Sequence, residues 1–126
     1  MKLFLPDTNI FIYANKGEEP FASLISDWIS QNSLAISSIV AAEFLSGGDD
    51  LERNKFQSLI DRFGTLPVDT TIAGIAADYK RKYAKVKPSL KLPDCLIAAT
   101  AKLYNAQLIT TNASDFPMSD IAKKSI

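Results

Sequence analysis

The chain has 126 residues, 47% of them hydrophobic and 22% charged, with 14 Lys plus Arg against 14 Asp plus Glu. That is the length and balance of a single domain, 1–126, with no run long enough to cross a membrane. It contains no histidine and only one cysteine, which excludes Ser-His-Asp and Cys-His catalysis, zinc sites that need imidazole and all-thiolate metal sites.

Polar chemistry in such a chain has to rest on carboxylates and on any metal they hold. The apolar start is too short for a signal peptide and leads straight into an acid, so a cytoplasmic protein is expected. Cys95, beside Leu96 and Ile97, reads as a small buried side chain, because no histidine exists to activate it.

In chain order, the first apolar run is a short strand that is cut by Pro6 and stops at Asp7. Ligands of open α/β sheets bind at the carboxyl ends of strands, which places Asp7 for chemistry. The plainer alternative is that Asp7 or Asn9 caps a helix beginning near Ile10. Gly17 and Pro20 mark a loop. Phe21, Leu24, Ile25, Trp28 and Ile29 then recur at helical spacing, an amphipathic helix over 21–29. Residues 34–37 form a second strand, whose two serines, Ser37 and Ser38, offer an N-cap for a helix over 39–45 that Gly47 and Gly48 stop.

Phe56, Leu59, Ile60 and Phe63 mark another helix, closed by Gly64, and 65–69 with Pro67 is a third strand at an edge. The longest stripe follows: Ile72, Ile75, Ala76, Tyr79, Tyr83 and Val86, on a helix capped by Thr70 or Thr71. Pro93 opens a helix that carries Asp94 and runs to about Asn105. Residues 107–110 are a fourth strand, and 118–126 is a short helix or a last strand. Short strands alternating with helices predict an α/β fold, a parallel sheet of four to five strands covered on both faces.

Four acids stand out. Glu43 is the only charge among the apolar residues of 39–45, and Asp94 opens a helix of small apolar residues. Asp115 lies in the loop after the last clear strand. Each has a plain explanation: a solvent-facing side chain for Glu43, the helix dipole for Asp94, an ordinary turn for Asp115. Together with Asp7 they converge on one sheet edge, where they would repel unless cations neutralised them. Oxygen-only ligands select hard ions, so Mg²⁺ or Mn²⁺ is expected. Such an ion holds a phosphodiester oxygen and lowers the pKa of a bound water.

Four strings carry a resemblance that covers nearly the whole chain: LPDTNI (5–10), SSIVAAEF (37–44), LPDCLIAAT (92–100) and LITTNASDF (108–116). In this order the chain resembles the PIN domain ribonucleases, and among them the VapC-like toxins of toxin-antitoxin pairs. The resemblance implies a flavodoxin-like three-layer sandwich and metal-dependent endonuclease activity on RNA. It makes Asp7, Glu43, Asp94 and Asp115 the acidic cluster, supported by Thr8, Asn9, Thr111 and Asn112. Asp7 and Asp94 would bind the metal directly, Glu43 would bind or orient water, and Asp115 would lie nearer a second metal position.

A VapB-like antitoxin covering the cleft and a homodimer are implied in the same way; the helix over 21–29 is a candidate dimer surface if its apolar stripe exceeds what the core can cover. Many relatives carry Arg where this chain has Thr111, so no phosphate contact is carried over to that position. Six basic residues, Lys80, Arg81, Lys82, Lys85, Lys87 and Lys91, fall in one stretch without an acid. The strip from Lys80 to Lys91 fits an RNA-phosphate contact beside the acids, with Lys80, Arg81, Lys85 and Lys87 as the chosen candidates, against the plain reading of a solvated helix face and loop.

The rival readings are a processing nuclease without an antitoxin, a Mg²⁺-dependent phosphatase or receiver-like domain, and a non-catalytic interaction module. A receiver needs paired acids after the first strand and a lysine after the last, and a dehalogenase-type phosphatase needs Asp-x-Asp. Asp7, Thr8 and Asn9 supply neither.

Overall fold

A computed structural model describes residues 2–126. Three parallel strands form its sheet: β1 Leu3–Pro6, β2 Ala106–Thr110 and β3 Lys123–Ser125, with β2 in the middle. Six helices lie between the first two strands: α1 Thr8–Asn15, α2 Phe21–Ser30, α3 Ser38–Leu45, α4 Asp50–Phe63, α5 Thr70–Tyr83 and α6 Leu92–Tyr104. A 3-10 turn, Ala113–Asp115, follows β2. No helix among the described residues is long and apolar enough to cross a membrane.

The expected sheet of four to five full strands is corrected to three. The segments read as the second and third strands join it only through single parallel bridges, Phe4 with Leu34 and Ser37 with Leu66. Both are cut short locally. Ser37 already caps α3, and Pro67, next to Leu66, has no N–H to extend a ladder. The undecided tail, 118–126, ends in a strand, because Leu108 to Thr110 accept Lys123 to Ser125 as partners.

Helix starts follow their caps more closely than their apolar stripes. Asp49 and Glu52 form a reciprocal capping box, which begins α4 at Asp50, well before the stripe that starts at Phe56. Asp69, not Thr70 or Thr71, caps α5 through the Ile72 N–H. That helix ends at Tyr83, so Val86 lies in the following loop and is 76% exposed instead of extending the stripe.

The core runs through β1, β2 and the helix faces against them, with Leu5, Ile10, Ile36, Ile72, Ile97, Leu108 and Ile109 all fully buried. α1 packs on α2, β1 and β2, while α6 packs on β2 and α5. Ala98, Ala99 and Ala101 let α6 approach closely, and buried Thr100 satisfies its hydroxyl on the Leu96 carbonyl at 2.8 Å. On α2, Trp28 stacks on Phe4 and is buried with Ile25, while Phe21, Leu24 and Ile29 pack against the same core. These contacts set the apolar stripe of α2 against the chain's own core.

Candidate active site

The parallel register of β1 and β2 decides the site. Pro6 pairs with Ile109, so the next residues along, Asp7 and Thr110, meet at the carboxyl end of the sheet. Asp7 is held at both oxygens. Oδ1 accepts the Asn9 N–H at 2.9 Å and so caps α1, and Oδ2 accepts the Thr110 hydroxyl at 2.7 Å. The capping and the chemical readings of Asp7 are therefore compatible. Burial pushes this carboxyl above its ordinary range; the bonds from Thr110 and Asn9 pull it down, and Glu43 and Asp115 add repulsion.

Three further acids line the same cleft of about 230 Å³: Glu43, Asp94 and Asp115. α3 delivers Glu43, and the Thr8 hydroxyl donates to its Oε1 at 2.8 Å, tying the end of β1 to α3. The first turn of α6 delivers Asp94, whose carboxyl is pushed up to about 6, first by burial and then by Asp115, Asp7 and Glu43, with Lys91 opposing. The turn after β2 delivers Asp115. Asn9 also lines the cleft.

The two supporting residues of the last motif are placed elsewhere. The Asn112 side chain accepts from the Ser114 hydroxyl at 2.6 Å, and its backbone N–H donates to Thr110 Oγ1 at 3.1 Å. Neither Asn112 nor half-buried Thr111 lines the cleft. Asp115, rather than Asn112, faces it.

Thr110 escaped the reading of the sequence. It is fully buried and joins Asp7 to the loop that carries Asp115. Its signal was positional: a hydroxyl residue ending the strand that follows the α6 helix. The basic strip also divides. Lys80 turns inward to donate to the Leu90 carbonyl, and Arg81, Lys85 and Lys87 do not line the cleft. Lys91 does, and it was not among the four chosen.

The donor set suits a hard cation, since it is all oxygen and its carboxylates add mutual repulsion to the burial that raises Asp94. Among the described residues no three acidic or thiol side chains converge tightly enough to hold a bare ion. An ion here would keep several waters, as Mg²⁺ prefers. A second concavity, about 250 Å³ and largely apolar, lies among α1 to α4, with Phe11, Ile25, Phe44, Phe56 and Leu59 in its walls and Asn15 and Lys55 as polar neighbours.

The PIN domain family model matches residues 4–124. Ribonuclease VapC10 of Mycobacterium tuberculosis is 36% identical over 96 residues, 73% of this chain and 72% of the relative. A toxin-antitoxin complex from Klebsiella pneumoniae contains a chain that superposes with TM-score 0.75 at 30% identity, covering 92% of both chains. The fold is also that of VapBC2 from Rickettsia felis, solved bound to a DNA fragment from its promoter, with TM-score 0.82, 22% identity and 98% of both chains covered.

Proposed function

The chain belongs to the PIN domain family and, within it, to the VapC ribonucleases, and from that premise we propose that it hydrolyses RNA phosphodiester bonds at the four-carboxylate cleft with Mg²⁺ or Mn²⁺. The observation that carries this reading is the meeting of Asp7, Glu43, Asp94 and Asp115 around one cleft. Asp7 and Asp94 would hold the ion, with Asp115 nearer a second position. When bound, the ion supplies charge compensation at the phosphate and acidifies a water.

The chain's own groups do the positioning. Thr110 and the Asn9 N–H fix both oxygens of Asp7, so its orientation does not depend on the substrate. Thr8 occupies one oxygen of Glu43 and leaves the other to accept from a water that attacks phosphorus. Asp94 is largely ionised at neutral pH and can serve as a ligand.

The chain acts as the toxin of a toxin-antitoxin pair, in the cytoplasm where RNA is made and read. A cognate antitoxin is supported by the apolar concavity beside the cleft. Both are built on α1 and α3, with Thr8, Asn9 and Glu43 on the polar side and Phe11 and Phe44 on the other. A partner segment seated on the apolar side would need only a short extension to reach the acids. The two groups of helices, α1 with α2 and α5 with α6, we read as the outer layers of a sandwich around the sheet.

The test is cleavage of a structured RNA by the purified chain in Mg²⁺ or Mn²⁺, beside the same protein in chelator and beside Asp7→Asn and Asp94→Asn. Cleavage is expected only with metal and both acids intact. Persistence in both variants would assign the activity to a contaminant and remove this reading.

A further inference from the structure

Among the described residues the cleft walls hold four carboxylates and a single cation, Lys91. A lysine beside so many acids ordinarily pairs with one of them. Here it pairs with none: among the described residues the sole ion pair within 4.0 Å joins Lys102 to Asp120 at 3.3 Å. Its charge is still felt in the cleft, where it opposes the repulsion on Asp94.

Its place in the chain is also costly. Lys91 is the N-cap residue of α6 and offers no side-chain acceptor, whereas α1, α3, α4 and α5 are capped by Asp7, Ser37, Asp49 and Asp69. A cation at this end of a helix opposes the macrodipole, and a residue with an acceptor would stabilise the turn. Lys80, earlier in the same basic stretch, is tied to a carbonyl and cannot do the same work. An exposed, unpaired ammonium on a backbone anchored one turn before Asp94 is suited to an anion that arrives from outside.

We infer that Lys91 holds a phosphate of the RNA strand in the cleft, so that the acids and their cation face the neighbouring phosphodiester. This rests on the ribonuclease reading above and adds to it the residue that registers the strand. The four acids cannot touch phosphate oxygens directly without a cation between them. Lys91 needs none. Lysine serves here as a point charge and tolerates any base sequence, so it contributes affinity and positioning rather than base choice.

The test is equilibrium binding of a fluorescein-labelled single-stranded RNA to the full chain in Ca²⁺, with the RNA checked for integrity, across a series of salt concentrations. Lys91→Gln should bind more weakly, and the slope of log affinity against log salt should fall by about 0.7, the change for one phosphate contact on a single strand. Lys91→Arg should keep the slope. An unchanged slope in Lys91→Gln, with Mg²⁺ bound more tightly by calorimetry, would make Lys91 a counter-ion of the acids and end the proposal.

The cleavage assay separates the two readings. A chain that cuts RNA in an Asp7-dependent way while Lys91→Gln keeps the full slope loses only the Lys91 assignment. A chain that shows the Lys91-dependent slope but does not cut loses only the nuclease reading. Failure of the wild-type chain to bind RNA removes both.

Discussion

At the scale of single residues, Thr110 carries the sharpest consequence. Its hydroxyl donates to Asp7 and accepts from the Asn112 N–H, so one side chain fixes the Asp7 carboxylate and the loop that carries Asp115. Thr110→Val keeps the shape and removes both bonds. RNA cleavage should fall about 10- to 100-fold, the usual cost of losing a partner that orients a ligand, while the thermal unfolding curve stays cooperative. A variant with full activity would show that Asp7 is held well enough by Asn9 alone. Asp94 sets a dependence on pH. Its folded value of about 6 lies above the ordinary 3.8, so protonation is favoured by folding. The stabilisation is complete below about pH 4 and is lost as pH rises through 6. Metal-free protein should therefore gain stability from this group between pH 7.5 and 5, on the order of 1 kcal/mol once its half exposure is allowed for. Thermal melts in chelator across that range measure it, and saturating Mg²⁺ should flatten or reverse the trend.

At the scale of elements, caps decide where helices deliver their acids. Ser37 is fully buried and accepts the Ile39 N–H at 3.1 Å at the start of α3. Ser37→Ala should cost about 1 kcal/mol of stability in urea unfolding, and it should also lower cleavage, because α3 carries Glu43. If stability drops with no change in cleavage, the Thr8 bond alone suffices to place Glu43. The β1–β2 pairing is the other deciding element. A slip of one residue would part Asp7 from Thr110 and turn every side chain of the strand to the other face. Buried Leu5 and Leu108, which are register partners, oppose such a slip.

At the scale of the whole molecule, the cleft gathers acids from four separate pieces of chain: the end of β1, α3, the start of α6 and the turn after β2. Folding must force these charges together, and a cation that binds only the assembled site should stabilise the fold. At 100 times its dissociation constant, Mg²⁺ would add about 2.7 kcal/mol. Asp94→Asn should raise the stability of the metal-free protein, and both it and Asp7→Asn should shrink the gain from Mg²⁺, read as the shift in melting temperature on adding the ion. An Mg²⁺-induced shift that survives in both variants would place the ion elsewhere.

The sequence by itself determined the alternation of strands and helices and the types of the acidic residues, because apolar periodicity and the absence of histidine are properties of the chain alone. It also carried the family resemblance, through four short strings. It overread the sheet, since residues 34–37 and 65–69 have strand-like composition while Ser37 and Pro67 end their pairing after single bridges. Only the tertiary structure decided which polar side chains meet. Thr110 and Asp7 are 103 positions apart and become partners through the β1–β2 register. Asn112 and Asp115 are three apart, yet the 3-10 turn commits Asn112 to Ser114 and leaves Asp115 in the cleft. Lys80 and Lys91 look alike in the chain, and packing ties one to a carbonyl and leaves the other beside the acids. Composition and spacing fix what a residue can do, whereas direction and partner depend on contacts between segments remote in sequence.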